Sequence, residues 1–305
     1  MAVLTIDIGT TNCKVGLVSE DGKMLQLLRA PMQKAQIERG EVVEYDPEKL
    51  WSIYSALIES VIRSAKAPVD SIAITGMAEA CLLVDPATSL PLTPILRWAD
   101  TRPMELFQSW QPQIDQKNRF LKTGLTNHVK WGCYKLLYLL EQYDLKKRRV
   151  LYLSVPDYLV YRLCSMAVTD PSLAARTYLY DIHSRSWDYQ FIEEVGLGDV
   201  EFPSLIASGS KLDNPTNSLS KNLPTALCGH DHLCASYALE AVQDTNLINS
   251  LGTAETLSGS LGQRNLTLQN FESGFLFGRK IKSDDLFWLG SIAASGSALN
   301  WAKKV

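Results

Sequence analysis

The chain of 305 residues is poor in the features that mark many specialised proteins, and each lack narrows its class. Its six cysteines, at positions 13, 81, 133, 164, 228 and 234, form no C-x-x-C pair, which favours reduced thiols over disulfides or zinc. The four histidines do not restore a metal framework, since His230 and His232 flank Asp231 with no cysteine at ligand spacing. A net charge of only −3 gives no electrostatic reason to expect nucleic acid as a partner. No apolar run approaches the length of a membrane span, and Met1-Ala2-Val3-Leu4 lacks the basic and long apolar parts of a signal peptide. A cytoplasmic protein with no membrane partner is therefore expected. There is no repeat of fixed period. What remains is ordinary globular composition, 46% hydrophobic and 21% charged, at a length that suits one large domain plus part of another.

Against that plain background, Leu4-Thr5-Ile6-Asp7-Ile8-Gly9-Thr10-Thr11-Asn12-Cys13-Lys14 stands out. Leu4, Ile6 and Ile8 alternate with Val3, Thr5 and Asp7, the pattern of a half-buried strand that delivers Asp7 to its carboxyl end. Gly9 permits a tight turn, whose freed N–H groups and Thr10 and Thr11 hydroxyls can cradle phosphate while Lys14 adds a point charge. An ordinary hairpin with a polar turn gives the same local pattern. Two further signals follow. Gly229-His230-Asp231-His232 places a carboxylate after a strand and at the start of a small-residue helix reaching about Val242, where a buried helix cap is the bland alternative. Asn249-Ser250-Leu251-Gly252-Thr253-Ala254-Glu255 repeats the glycine-and-threonine turn between apolar strands.

The rest of the chain reads as alternating strands and helices. Three antiparallel strands open it, with Glu20-Asp21-Gly22-Lys23 as a turn. Asp46-Pro47-Glu48 predicts a helix start, followed by Leu50, Tyr54, Leu57, Ile58, Val61 and Ile62 at helical spacing. Strands are expected at 69–75, 81–84, 94–98, 150–154 and 225–228, and helices at 103–110, 129–143 and from Pro156 to Cys164. Residues 211–223, rich in Asn, Ser and Pro, read as a loop.

Five pieces in this order resemble the FGGY carbohydrate kinases: DIGTTNCK at 7–14, EYDPEKLW at 44–51, LRWADTRP at 96–103, CGHDHLCAS at 228–236 and NSLGTAE at 249–255. GSIAASGSALNW at 290–301 is similar to the family's next segment. The resemblance implies an α/β fold: a ribonuclease-H-like, actin-like ATPase lobe with a mixed sheet and flanking helices, plus a second lobe of the same type. It places the sugar-binding lobe at 1–243 and the beginning of the nucleotide lobe at 244–305. It implies ATP and Mg2+ as cofactors, with Asp7 helping to hold the metal and Thr10, Thr11, Asn12, Lys14, Gly252 and Thr253 facing the nucleotide phosphates. Glu79, Asp100, Arg102 and Arg176 would face a sugar or polyol, a carboxylate being able to accept from paired hydroxyls. Asp231 would be the general base of phosphoryl transfer. A homodimer is compatible with the resemblance.

The chain also departs from the family pattern. Gly76-Met77-Ala78-Glu79-Ala80 lacks the Met-His pair of members acting on xylulose, and an acidic Glu79 is expected to disfavour gluconate by like-charge repulsion. Trp98 is expected to pack rather than stack on sugar, Arg102 equally suits a surface salt bridge, and Arg176 equally suits tying loops together. The family's later glycine-rich adenine segment has no match, so the chain ending at Val305 is expected to be truncated, unable to catalyse alone, and to leave Phe275, Phe277, Trp288 and Leu289 exposed. Two other classes stay open: a non-catalytic sugar-binding remnant, and an actin-like ATPase of chaperone or filament type.

Overall fold

Strand β1 (Ala2–Ile8) alternates buried and half-buried residues along its whole length, with Leu4, Ile6 and Ile8 fully enclosed and Asp7 on the opposite face. It pairs antiparallel with β2 (Asn12–Ser19), which pairs antiparallel with β3 (Met24–Pro31), giving the three-stranded opening expected from the sequence. These relationships come from a computed structural model, which describes residues 1–33, 36–38, 41–212, 217–220, 222–239, 246–251, 255–292 and 301–303.

On its other side β1 runs parallel to strand Val69–Gly76, which in turn runs parallel to Thr225–His230, and Ser210–Leu212 closes that edge antiparallel. The register is specific: Asp7 lies opposite Thr75, and Thr75 opposite Gly229. Three parallel strands therefore end at one edge, where a ligand can be met by groups from each. Helix α1 (Pro47–Ser64) covers the sheet. Asp46 caps it by accepting from the Glu48 and Lys49 N–H groups at 2.9 and 3.1 Å, and Pro47 takes the first helical position. Leu50, Tyr54, Ile58 and Val61 are wholly buried, each contributing about 1.5–3 kcal/mol by leaving water. The Tyr54 hydroxyl also donates to the Asp7 carbonyl at 3.0 Å, so the helix fixes the backbone of the candidate metal residue.

A second sheet orders Val200–Glu201, Val150–Ser154, Cys81–Val84, Ile95–Leu96, Glu41–Tyr45 and Gln36–Glu38, and the helix Val155–Cys164 follows Val150–Ser154 directly, with a Ser154–Asp157 capping box. The strand expected at 94–98 is confined to Ile95–Leu96. The helix expected from Val129 begins only at Gly132, because His128 to Trp131 form a turn: the Lys130 N–H donates to His128 Nδ1 and Trp131 stands in extended conformation before the helix. All six cysteines are free thiols.

A third, antiparallel sheet orders Leu247–Leu251, Glu255–Gly262, Leu286–Ile292 and Leu276–Arg279. The expectation that its apolar residues are exposed fails for Phe277 and Leu289, which are 3% and 5% exposed. Phe277 meets Phe120 edge-on at 5.8 Å between centroids, and its N–H donates to the Gly124 carbonyl at 2.8 Å. Gly124 caps helix Gln116–Thr123 with φ +73°, and an added Cβ there would fall 2.8 Å from the Phe277 carbonyl carbon. Phe275 is exposed and stacks on a half-buried Trp288. No helix among the described residues is long and apolar enough to cross a membrane.

Candidate active site

At the carboxyl end of β1 the chain turns through Gly9, Thr10 and Thr11 before β2 begins at Asn12. Gly9 allows the tight return, since a Cβ would sit 3.0 Å from the Asn12 carbonyl oxygen. Thr10 and Thr11 are exposed, and neither hydroxyl makes a hydrogen bond among the described residues. Asn12 is half-buried and lies opposite Pro31. Lys14 lies directly opposite Asp7 on the neighbouring strand, and its ammonium donates to Asp7 Oδ2 at 2.7 Å. The Lys14 charge is thus held over the carboxylate, at the mouth of the turn. About a third of each of these two side chains is open to solvent, so the Asp7 carboxylate remains accessible to a hard cation that takes oxygen ligands. Gly252 and Thr253, assigned from the sequence to the nucleotide, lie outside the described residues.

Asp231 opens helix Asp231–Ala238 immediately after strand Thr225–His230. Its Oδ1 accepts from the His232 N–H at 2.7 Å and stands 3.2 Å from His230 Nε2, while about a third of the side chain faces solvent. Burial pushes the His230 imidazole down to about 4, against the pull of Asp231, so it is neutral near pH 7. The backbone before Asp231 is held from behind. The His230 N–H donates to Ser172 Oγ at 2.8 Å, Ser172 donates to the buried Asp170 at 2.7 Å, and Thr75 Oγ1 donates to the Gly229 carbonyl at 2.8 Å. Gly229 has φ +104°, and a Cβ there would lie 2.6 Å from Asp170 Oδ2. His230, Asp231 and His232 bring three ligand atoms within 4.8 Å of one another, a grouping that the spacing rule applied to the sequence did not anticipate.

Glu79 is buried, in the left-handed conformation with φ 61°, and its Oε1 accepts from Arg176 Nε and Nη2 at 2.8 and 2.5 Å. Burial alone would raise its carboxyl, but the surrounding cations, Arg176 first and Lys130 next, prevail and hold it at about 2. The expected repulsion of an acidic sugar by Glu79 therefore lapses, because Arg176 already neutralises that charge. Arg176 also lies over the Trp131 indole, 4.7 Å from its centroid.

Asp100 and Arg102 bind each other. Arg102 donates to both Asp100 oxygens through its guanidinium, reaches Glu44 at 3.3 Å and lies over Tyr138. The Asp100 side chain is only 1% exposed, so its acceptors face Arg102 rather than open water. Trp98 differs from the packing expected of it: it is 37% exposed, because its loop is fixed through the backbone carbonyl and not through burial of the indole. That carbonyl accepts from Lys135 at 2.9 Å, and the same ammonium donates to the Glu79 carbonyl at 2.7 Å. Lys135 is wholly buried and joins the Glu79 and Trp98 loops. Sequence reasoning missed it, as it missed Lys130 and Trp131. One polar residue within the run Tyr134-Lys135-Leu136-Leu137 was the available signal.

Comparisons with known proteins bear on the family and the fold. Residues 2–237 match the N-terminal domain of the FGGY family of carbohydrate kinases. A glycerol kinase from Marinomonas sp. (strain MWYL1) is 29% identical over 247 residues, covering 74% of this chain and 50% of the relative. The solved glycerol kinase of Plasmodium falciparum with ADP superposes with a TM-score of 0.89 at 20% identity, covering 99% of this chain and 63% of that one. A ligand-bound xylulose kinase from Lactobacillus acidophilus gives a TM-score of 0.87 at 18% identity, over 100% of this chain and 62% of the other. The chain thus spans between half and two thirds of the length of these relatives. The likeness at this level of identity establishes the shared α/β, actin-like fold. With a family match running through β1, the Glu79 loop and the strand that ends before Asp231, this chain belongs to the FGGY family of carbohydrate kinases.

Proposed function

We propose that the protein works as an ATP-dependent carbohydrate kinase, transferring the γ-phosphate to a hydroxyl of a sugar or polyol. The observation that carries this reading is the lateral register Asp7–Thr75–Gly229, which brings Asp7 and Asp231 out at the same edge of three parallel strands. With strands about 4.8 Å apart, the two strand ends stand roughly 10 Å from each other, a span that a phosphate and an attacking hydroxyl can fill. Residues 1–243 serve as the sugar-binding lobe and 244–305 as the beginning of the nucleotide-binding lobe.

The division of labour follows from the charges. Asp231 takes the proton from the attacking hydroxyl as its oxygen bonds to the γ-phosphorus and ADP departs. The neutral His230 beside it adds no positive charge that would weaken the base. Thr10, Thr11, Asn12 and Lys14 orient the phosphates, the threonine hydroxyls being free to do so. Asp7 offers an accessible carboxylate to magnesium, which when bound neutralises charge on the phosphate oxygens. Lys14 can exchange Asp7 for a phosphate oxygen. Glu79, Arg176, Asp100 and Arg102 shape the acceptor end.

The test is ADP release by the full-length protein against a panel of sugars and polyols. Asp231→Asn is expected to lower turnover by about 10² to 10⁴ while acceptor binding persists. Near-full activity in that variant would remove Asp231 from the role of base.

A further inference from the structure

Two imidazoles flank the candidate base. His230 ends strand Thr225–His230, and Asp231 and His232 open the helix that follows. Along a strand successive side chains point to opposite faces, whereas the change to a helix lets three consecutive ones converge. One nitrogen of each ring and one carboxylate oxygen lie within 4.8 Å of one another. His230 Nε2 and Asp231 Oδ1 stand 3.2 Å apart, and two ligands of a tetrahedral zinc ion, each about 2.0–2.2 Å from the metal, stand roughly 3.3 Å apart. That pair therefore has ligand spacing as it is. His232 is half-buried with its ring edge-on to His230, 5.3 Å between centroids, and a turn of the ring that moves its nitrogen by about 1.5 Å brings it to the same spacing. Among the described residues no hydrogen bond engages the His232 ring, so its nitrogens are open to an ion.

The backbone beneath the group is already fixed. Ser172 holds the His230 N–H and Thr75 holds the Gly229 carbonyl, so little freedom remains to be lost when an ion binds. Arg176 lies within electrostatic reach of His230 and opposes a cation, but its own charge is paired with Glu79. Two imidazoles and a carboxylate suit zinc and its neighbours, whereas magnesium prefers oxygen ligands throughout. We propose that His230, Asp231 and His232 form a site for a zinc-type divalent ion, separate from the magnesium that Asp7 serves. Its consequence rests on the kinase reading: a filled site withdraws Asp231 from its work as base. A carboxylate whose charge is drawn onto a metal is a far weaker proton acceptor. Zinc is then an inhibitor of the proton-transfer step and not a cofactor of the reaction.

Calorimetric titration of the metal-free full-length protein with zinc chloride, in excess Mg2+, tests the site without reference to activity. The tightest zinc equivalent is expected to weaken at least about ten- to a hundredfold in His232→Gln and in His230→Gln, the loss that even an outer partner of a metal ligand causes. His183→Gln, which removes a histidine outside the group, leaves that equivalent unchanged, and circular dichroism checks that all three variants fold. Turnover with saturating Mg2+ and ATP is expected to fall at the zinc concentration that fills the site, and His232→Gln to need at least about tenfold more zinc for the same fall. Zinc that binds parent and His232→Gln alike overturns the site. Binding that depends on His232 while zinc leaves the parent's turnover untouched overturns the inhibitory role. A protein that phosphorylates no sugar or polyol of the panel, yet takes up zinc through His232, keeps the site and loses the kinase reading.

Discussion

Glu79 and Arg176, 97 residues apart in sequence, close an ion pair in which neither side chain is more than 8% exposed. Removing one partner of such a pair strands a buried charge, at about 3–5 kcal/mol. Arg176→Leu is therefore expected to lower the unfolding free energy by that order, read from the midpoint of urea denaturation at pH 7. Glu79 is held below its unfolded value of 4.5, so its contribution is complete above that value and is lost as pH falls towards 2. An Arg176→Leu protein that unfolds at the same urea concentration as its parent would show the pair to be idle.

Asp157 provides the opposite slope. Burial, opposed by hydrogen bonds from Ser154 and Thr169, raises its carboxyl to about 7. The folded protein then binds a proton that the unfolded chain has released, so stability from this group is greatest below about pH 4 and is lost as pH rises through 7. Asp157→Asn should flatten the fall in denaturation midpoint between pH 5 and pH 8. An unchanged slope would assign the pH dependence to other groups.

Gly229→Ala tests the backbone behind the candidate base. Its φ of +104° suits glycine alone, and the new Cβ would press on Asp170 and Ser172. A loss of at least about 1–3 kcal/mol is expected, together with reduced turnover as the Asp231 strand end is displaced. Thermal unfolding and steady-state kinetics on the full-length protein read both effects, and wild-type values for the two would refute the constraint.

Ser172→Ala addresses the same peptide from the side chain. It removes the acceptor of the buried His230 N–H, at about 1–3 kcal/mol, while Asp170 keeps the Leu173 N–H and Ser208 as donors. Because the lost contact fixes the residue next to Asp231, kcat should fall further than KM rises. Equal changes in both constants would point to general loosening of the fold.

Much of this was legible in the sequence where the physics is local. The alternation in β1, the Asp46-Pro47 start of α1 and the strand before Asp231 each depend on neighbours within a few residues. The acceptor end was less legible because its meaning is set by distant groups. Glu79 reads from the sequence as an acid facing the acceptor, whereas Arg176 pairs with it from 97 residues away, and Lys135 drew no reading because the two loop carbonyls on its ammonium belong to distant segments. Phe277 was misread for the same reason: its covering surface includes Phe120 and Gly124, more than a hundred residues earlier in the chain, and Leu289 is buried in the same cluster.

The pairing of Asp7 with Thr75, and of Thr75 with Gly229, also bears on how this gene can change. Successive side chains in a strand point to opposite faces, so inserting or deleting one residue early in β1 would turn Asp7 towards the core and Ile8 towards the phosphate turn. Substitutions on the half-buried face can drift, whereas the count of residues between Ala2 and Gly9 is held fixed. Variation in length is consequently expected at the surface turn Glu20–Lys23 and absent from the strand that carries the carboxylate.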